Sequence, residues 1–403
     1  MKKKTKKSKW VKKRHVFIRF LLIVFVWPII RSMYGYKYEK KKLKKNEKYI
    51  ILANHQTTLD PVFVGVSFNR PLYYVSSDDL LHQKFKSKLL SFCFGIIGKA
   101  KGKSDFMTVK TMLQVLKENG SVCVFPEGNR TFSGSLCNIN PAIAKFVKSA
   151  KTPLVLYNID GGYGVDPRWG IKRRKGKFRG YIKRIISVEE LSAMSTEEIQ
   201  QAIIEGLSVK TAPSEETYAS DIRAEKIERV LYICPECNKK HHITSKGTTF
   251  TCEACNTTWE YTENLTITKD NKLYKYPTVS DWYNFQLDDI RNIDYENVST
   301  IFKDSNILLY ESINHSIKEV KKEGEVVLTK DELYVQDQVF KLSDIEAVAA
   351  SGKQHLMFRL NDSVYTIENN KKLRNDFNAL KYVLTINYIK SKYIENKEEF
   401  FGI

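Results

Sequence analysis

A chain of 403 residues is longer than one hydrophobic core usually organises, so two or three domains are expected. Hydrophobic residues at 42% and charged residues at 28% lie near globular averages, which excludes a disordered chain and a multispanning membrane protein. The formal net charge of +20 is the outlier and calls for a polyanionic partner, either nucleic acid or the anionic face of a bilayer.

Nine of the first fourteen residues are Lys or Arg, and residues 16–30 (VFIRFLLIVFVWPII) are then almost wholly apolar. That run contains Arg19, ends near Pro28 and falls short of the roughly 20 residues a spanning helix needs, so it is expected to lie in the membrane interface or enter it part-way. A secretory signal would show a small-residue cleavage site. Here Pro28, Ile29, Ile30, Arg31 and Ser32 lead instead into a second basic run at residues 40–45. Cations on both sides match the positive-inside bias. Residues 1–47 are therefore read as an anchor on the cytoplasmic face of the cell membrane, peripheral or monotopic, with phospholipid headgroups as the polyanion.

From residue 48 to 187 short apolar runs alternate with helical patterns. Residues 49–53 (YIILA), 72–75 (LYYV), 121–125 (SVCVF) and 153–159 (PLVLYNI) have strand length and composition. Residues 106–118 place Val109, Met112, Leu113 and Leu116 on one helical face, with Gly120 as a stop. This is an α/β domain, closed by a basic, hairpin-like segment at residues 171–186.

A polar helical linker is expected over residues 188–229 and a ribbon over 230–262, where Cys234 and Cys237 (CPEC) are followed by Cys252 and Cys255 (CEAC). Two such knuckles supply four thiolates for one tetrahedral, structural zinc, with no coordination position left for catalysis; an iron site or a redox dithiol is the alternative. His241 and His242 are read as exposed bystanders, and Trp259 as packing on the ribbon. Cys93, Cys123 and Cys137 are scattered, a pattern that fits a reducing compartment and no disulfide framework. Residues 263–299 are read as a helical connector. Residues 300–390 alternate as strands and end in a helix with Leu373, Phe377, Leu380 and Leu384 on one face, a pattern that looks similar to a pleckstrin-homology-like barrel with its capping helix. Residues 391–403 form a tail, and no internal repeat is evident.

Two segments carry chemistry. NHQTTLD puts His55 five residues before Asp60 directly after a strand, where catalytic groups sit in open α/β sheets. FPEGNRTFSG follows another strand. Pro126 and Gly128 shape a turn, while Glu127 and Arg130 offer an acceptor and a bidentate cation, or else a surface ion pair. Taken together and in this order, Asn54-His55 with Asp60 and Phe125-Pro126-Glu127-Gly128 with Arg130 resemble the glycerophospholipid acyltransferase family, over residues 48–185. The second motif departs from the family: Gly95 is followed six residues later by Lys101 where an Arg is usual. In the fourth, Pro153 is present but Leu156 and Tyr157 replace its second half.

The resemblance implies an α/β acyltransferase domain with a central mixed sheet. It implies that His55 is the general base, oriented by Asp60, and that Arg130, Glu127, Gly128 and Lys101 form the site for a phosphate-bearing acceptor. The acceptor would be lysophosphatidate or a related lysophospholipid. The donor would be an acyl-carrier-protein or coenzyme A thioester, or an acyl phosphate, and it is a substrate, so no organic cofactor is expected. Nucleic acid is not the expected partner, because much of the basic charge flanks the apolar segment. The contrasting reading is a non-enzymatic membrane or nucleic-acid adaptor.

Overall fold

The computed structural model describes residues 9–40, 43–44, 47–77, 91–99, 106–313, 316–361, 363–370 and 377–394. The chain begins with one helix, α1 (Lys13–Tyr34), 22 residues and thus about 33 Å long, which is long and apolar enough to cross a membrane. This corrects the expectation that the apolar run stops near Pro28. A π-helical turn over Leu22–Val26 widens the helix just before the proline, which then opens a new α-helical stretch and has no regular ladder to break. The inward stripe of α1 carries His15, Arg19, Trp27 and Tyr34. Arg19, the one charge within the run, turns inward and donates to the Phe68 carbonyl. Trp27 and Tyr34 are buried, edge-on to Phe63. Phe17, Phe20, Phe25, Ile29 and Met33 are exposed on the other side.

The first sheet contains β1 (Tyr36–Tyr38), β2 (Ile50–Ala53), β3 (Leu72–Ser77), β4 (Ile97–Lys99), β5 (Ser121–Val124), β6 (Leu154–Asp160) and β7 (Phe178–Ile186). Among the described residues its order is β1-β7-β6-β2-β5-β3-β4. All neighbours are parallel except β6 and β7, so the sheet is mixed, as expected. Strand β2 is buried on both faces. Ile51 and Ala53 enter the core with Phe63 and Tyr157, while Ile50 and Leu52 enter a second core with Met112, Val115 and Ile203. That is why its sequence is a continuous apolar run without alternation. The helices α2 (Asp60–Ser67), α3 (Phe106–Lys117) and α4 (Ala142–Ala150) lie between the strands.

The basic segment is not a hairpin: it supplies the single long strand β7, whose antiparallel partner is β6. The expected linker does not lead away either. Its first half forms α5 (Val188–Ala193) and α6 (Thr196–Leu207), the latter opened by a Ser195–Glu198 capping box. Helix α6 buries Ile199, Ile203 and Leu207 against this sheet, with Gly206 so close to Leu156 that a Cβ there would lie 2.3 Å from its Cδ1. The second half is irregular apart from one short turn at Ile227–Arg229.

The second sheet is antiparallel: β8 (Ile243–Lys246), β9 (Thr249–Cys252), β10 (Thr257–Tyr261), β11 (Thr266–Lys269) and β12 (Lys272–Thr278). Two of these strands fall in the stretch read as a helical connector, where only α7 (Val279–Arg291) is helical. Trp259 packs within this unit, stacked on Phe250 and edge-on to Trp282. The third sheet is also antiparallel, with the order β16-β15-β14-β13-β19-β18-β17. Its strands are β13 (Phe302–Ile313), β14 (Ser316–Leu328), β15 (Glu332–Val335), β16 (Gln338–Lys341), β17 (Ala347–Ser351), β18 (His355–Leu360) and β19 (Ser363–Asn369). Helix α8 (Ala379–Ile389) is buried on almost every side.

These parts share packing. One apolar cluster runs from Trp27 and Phe63 through Trp169 and Tyr261 to Leu356 and Ile389. His241 is not the exposed bystander expected. Its Nε2 lies 2.7 Å from Lys381 Nζ, its ring stacks on Tyr232, and burial beside that cation pushes its pKa down to about 3.

Candidate active site

Strand β2 ends at Ala53, and the Asn54 side chain prolongs the sheet by pairing with the backbone of Ile159: Nδ2 donates to its carbonyl at 2.8 Å and Oδ1 accepts its N–H at 2.7 Å. The next residue, His55, is thereby carried to the strand's mouth. Asp60 follows in the first turn of α2 with no exposed surface. Its Oδ2 accepts from His55 Nδ1 at 2.8 Å and from the N–H groups of Gln56 and Thr57 at 2.6 and 2.9 Å, while Oδ1 accepts from the Thr57 hydroxyl at 2.5 Å. With four donors on the carboxylate, the imidazole hydrogen sits on Nδ1. The Nε2 lone pair is left without a protein partner among the described residues, on a side chain that is 19% exposed and rests against Phe125.

The FPEG turn stands next to it. Gly128 takes φ +72, a left-handed conformation that favours glycine, and its position opens to solvent, so backbone can be approached there. Glu127 does not share that outlook. It is buried, with Oε1 accepting the His55 N–H at 2.6 Å and Oε2 the Cys137 N–H at 2.8 Å. Burial pushes its pKa up to about 7 despite those two donors. The Thr131 N–H in turn donates to the His55 carbonyl at 3.1 Å, so both backbone groups of His55 are held by this turn.

Arg130 is 16% exposed and pairs loosely with Asp166, Nη1 to Oδ2 at 3.4 Å, not with Glu127. His55, Asp60, Glu127, Gly128 and Arg130 are thus brought together, whereas Lys101 lies outside the described residues. Sequence reading passed over Asp166 and Arg168, although a segment reading VDPRWG, with a Pro, a Trp and two charges in one turn, carried a usable signal.

Far along the chain, the Sγ atoms of Cys234, Cys237, Cys252 and Cys255 all lie within 4.8 Å of one another, with two pairs at 3.7 Å. Four thiolates about 2.3 Å from one tetrahedral zinc would stand about 3.8 Å apart, so the residues fit that ion. Each knuckle is closed by an asparagine with positive φ, Asn238 and Asn256.

Residues 36–159 match the family model described as Acyltransferase. The chain is 25% identical over 154 residues to a probable 1-acyl-sn-glycerol-3-phosphate acyltransferase of Mycoplasma genitalium, covering 37% of this chain and 57% of that protein. It is 26% identical over 121 residues to the protein of the same name from Mycoplasma pneumoniae, covering 28% and 45%. The chain therefore spans about half the length of the curated relatives it matches. Among solved structures, the 1-acyl-sn-glycerophosphate (LPA) acyltransferase PlsC from Thermotoga maritima is similar at 18% identity. That match covers 48% of this chain and 89% of that one, with a TM-score of 0.37.

Proposed function

We propose that this protein transfers a fatty acyl group from an activated donor to the free hydroxyl of lysophosphatidate or a close relative, in phospholipid biosynthesis. The observation that carries the reading is the His55–Asp60 pair, with Nδ1 committed to a saturated carboxylate and Nε2 open, inside the segment that matches the acyltransferase family.

The chemistry follows from that tautomer. Nε2 takes the proton of the acceptor hydroxyl as its oxygen attacks the donor's carbonyl carbon. Asp60 stabilises the imidazolium that forms, and the same proton is then delivered to the departing group as the tetrahedral intermediate collapses. The substrate hydroxyl stands where a serine protease would use its own serine. Arg130 holds the acceptor phosphate, and Gly128 leaves room for it beside the backbone. Glu127 acts on His55 from behind and does not touch the acceptor, because both of its oxygens are taken by backbone N–H groups. The donor is a substrate, either a carrier-protein or coenzyme A thioester or an acyl phosphate. The exposed apolar side of α1 and the basic residues around it support docking on the cytoplasmic face of a membrane, where the acceptor resides. The four cysteines hold one structural zinc, and the third sheet with α8 is read as the pleckstrin-homology-like unit.

The test is mass spectrometry of the lipids formed when the purified full chain, on phosphatidylglycerol vesicles, receives mixed lysolipids and isotope-labelled oleoyl donors of the three classes. Phosphatidate carrying one labelled acyl chain is the expected product. No acylated product from any donor would overturn the reading.

A further inference from the structure

Arg168 is 3% exposed, and among the described residues it is paired with no carboxylate. All three directions of its guanidinium end on carbonyl oxygens: Nη1 on Arg130 at 2.9 Å, Nη2 on Ala350 at 2.8 Å and Nε on Gly352 at 2.9 Å. Its plane lies over Phe132, 4.0 Å from Cζ to the ring centroid. Burial, with Arg130 beside it, pushes the pKa down to about 9. A buried cation without an anion is costly, and an apolar side chain would dock two surfaces more cheaply. What a planar fork adds is direction: it fixes three carbonyls relative to one another.

Of those carbonyls, that of Ala350 belongs to the end of β17 and that of Gly352, at φ +57, to the turn between β17 and β18. The third belongs to Arg130. The same turn grips the Arg168 segment again, since Lys353 Nζ donates to the carbonyl of Gly170. Arg229 joins the two from a third side, donating to the Trp169 carbonyl at 3.0 Å and to Gln354 Oε1 at 3.3 Å. Arg130 is therefore held at its carbonyl by Arg168, which the C-terminal sheet fixes in turn, while the next residue's N–H holds His55.

We infer that Arg168 is a positioning residue through which the β17–β18 turn sets the Arg130 guanidinium against the acceptor's phosphate, so that the C-terminal sheet is part of the acceptor site. This rests on the reading of Arg130 as the phosphate clamp. Arg130 and Arg168 lie side by side, and among the described residues Asp166, paired with Arg130, is the one carboxylate bound to either, so a net positive charge is left for an incoming phosphate to neutralise.

The experiment is calorimetric binding of octanoyl-lysophosphatidate, soluble as a monomer, to the full zinc-loaded chain, which requires no donor. R168M is expected to weaken binding about tenfold, and R168K, which keeps one charge-assisted contact, to recover part of the loss. In an R130A background R168M should add little, because a residue acting through Arg130 has nothing left to position. A merely structural Arg168 would weaken binding equally in both backgrounds, and that result overturns the inference, as does wild-type affinity in R168M while R130A is impaired. Wild-type affinity in R130A would instead overturn the clamp reading and the inference with it. If R168M fails to fold, K353M decides, since it cuts only the tie from an exposed side chain: a drop of about threefold supports the coupling and unchanged affinity overturns it.

Discussion

The Glu127 carboxylate and the His55 backbone N–H are 2.6 Å apart, so the acidic residue of the FPEG turn grips the main chain of the candidate base and presents nothing to solvent. Its pKa, raised by burial to about 7, gives the contact a pH signature. An unfolded glutamate titrates near 4.3, so between those values the folded chain binds more protons than the unfolded one, and stability falls as pH rises. Relative to Glu127→Gln, which cannot ionise, wild-type stability is expected to drop by at most about 1.4 kcal/mol per pH unit through that window and to level off above it. Urea titrations of both proteins from pH 4.5 to 8 provide the measurement. A constant difference between the two would reject the assignment.

His55→Ala should lower turnover by roughly 10²–10⁴-fold or more with little change in thermal midpoint, because the ring is partly exposed and only one of its nitrogens is engaged. Asp60→Asn should also be severe, since an amide can present N–H to Nδ1 and reverse the tautomer. Near-normal rates in either variant would remove the general-base role.

What could be read from sequence depended on how local each feature's cause is. Strand β2 was legible as YIILA because it is buried on both faces, and His55 with Asp60 because their contact closes within five residues. Arg168 was not, since the carbonyl of Ala350 that gives it meaning lies 182 positions away. Pro28 misled because a π turn that ends two residues earlier absorbs the break, which no periodicity announces. Strands β11 and β12 were missed despite a signal in plain view: Asp270-Asn271, both at positive φ, form the two-residue turn that joins hairpin strands.

For Arg130→Ala the expected signature is a Michaelis constant for the phosphorylated acceptor raised about tenfold or more, with the donor constant nearly unchanged. Steady-state kinetics with each substrate varied in turn would separate the two. Equal effects on both would make Arg130 a structural partner of Asp166.

Elemental analysis should find one zinc per chain, and Cys252→Ser or chelation should unfold the second sheet. Its Tyr261 packs on Trp169, edge to face at 5.8 Å, one residue from Arg168. Loss of the ion is therefore expected to weaken acceptor binding as well as stability. A metal-free chain with unchanged melting temperature would dismiss the zinc assignment.

Replacing Phe17, Phe20 and Phe25 by serine should release the protein from anionic vesicles by about tenfold or more while leaving its fold intact, since all three are exposed on α1. High salt alone should release it only partly, because salt does not screen apolar burial. Sedimentation with vesicles checks both. Full retention of the triple variant would put the docking face elsewhere.

Among the described residues strand β1 has a single neighbour in its sheet, β7, paired from Tyr36 with Phe178 to Tyr38 with Gly180. The order of synthesis thus differs from the order of assembly. Helix α1 leaves the ribosome well ahead of β7, so the strand that tethers it gains its partner only after the intervening chain has been made, on the order of ten seconds later at about 5–20 residues per second. Through that interval Trp27 and Tyr34 lack the Phe63 and Phe178 surfaces that will cover them, so both add to the apolar surface that Phe17, Phe20 and Phe25 already expose. On the proposed membrane reading, the bilayer would receive the helix before the site exists, and the nascent domain would close on a helix already in place.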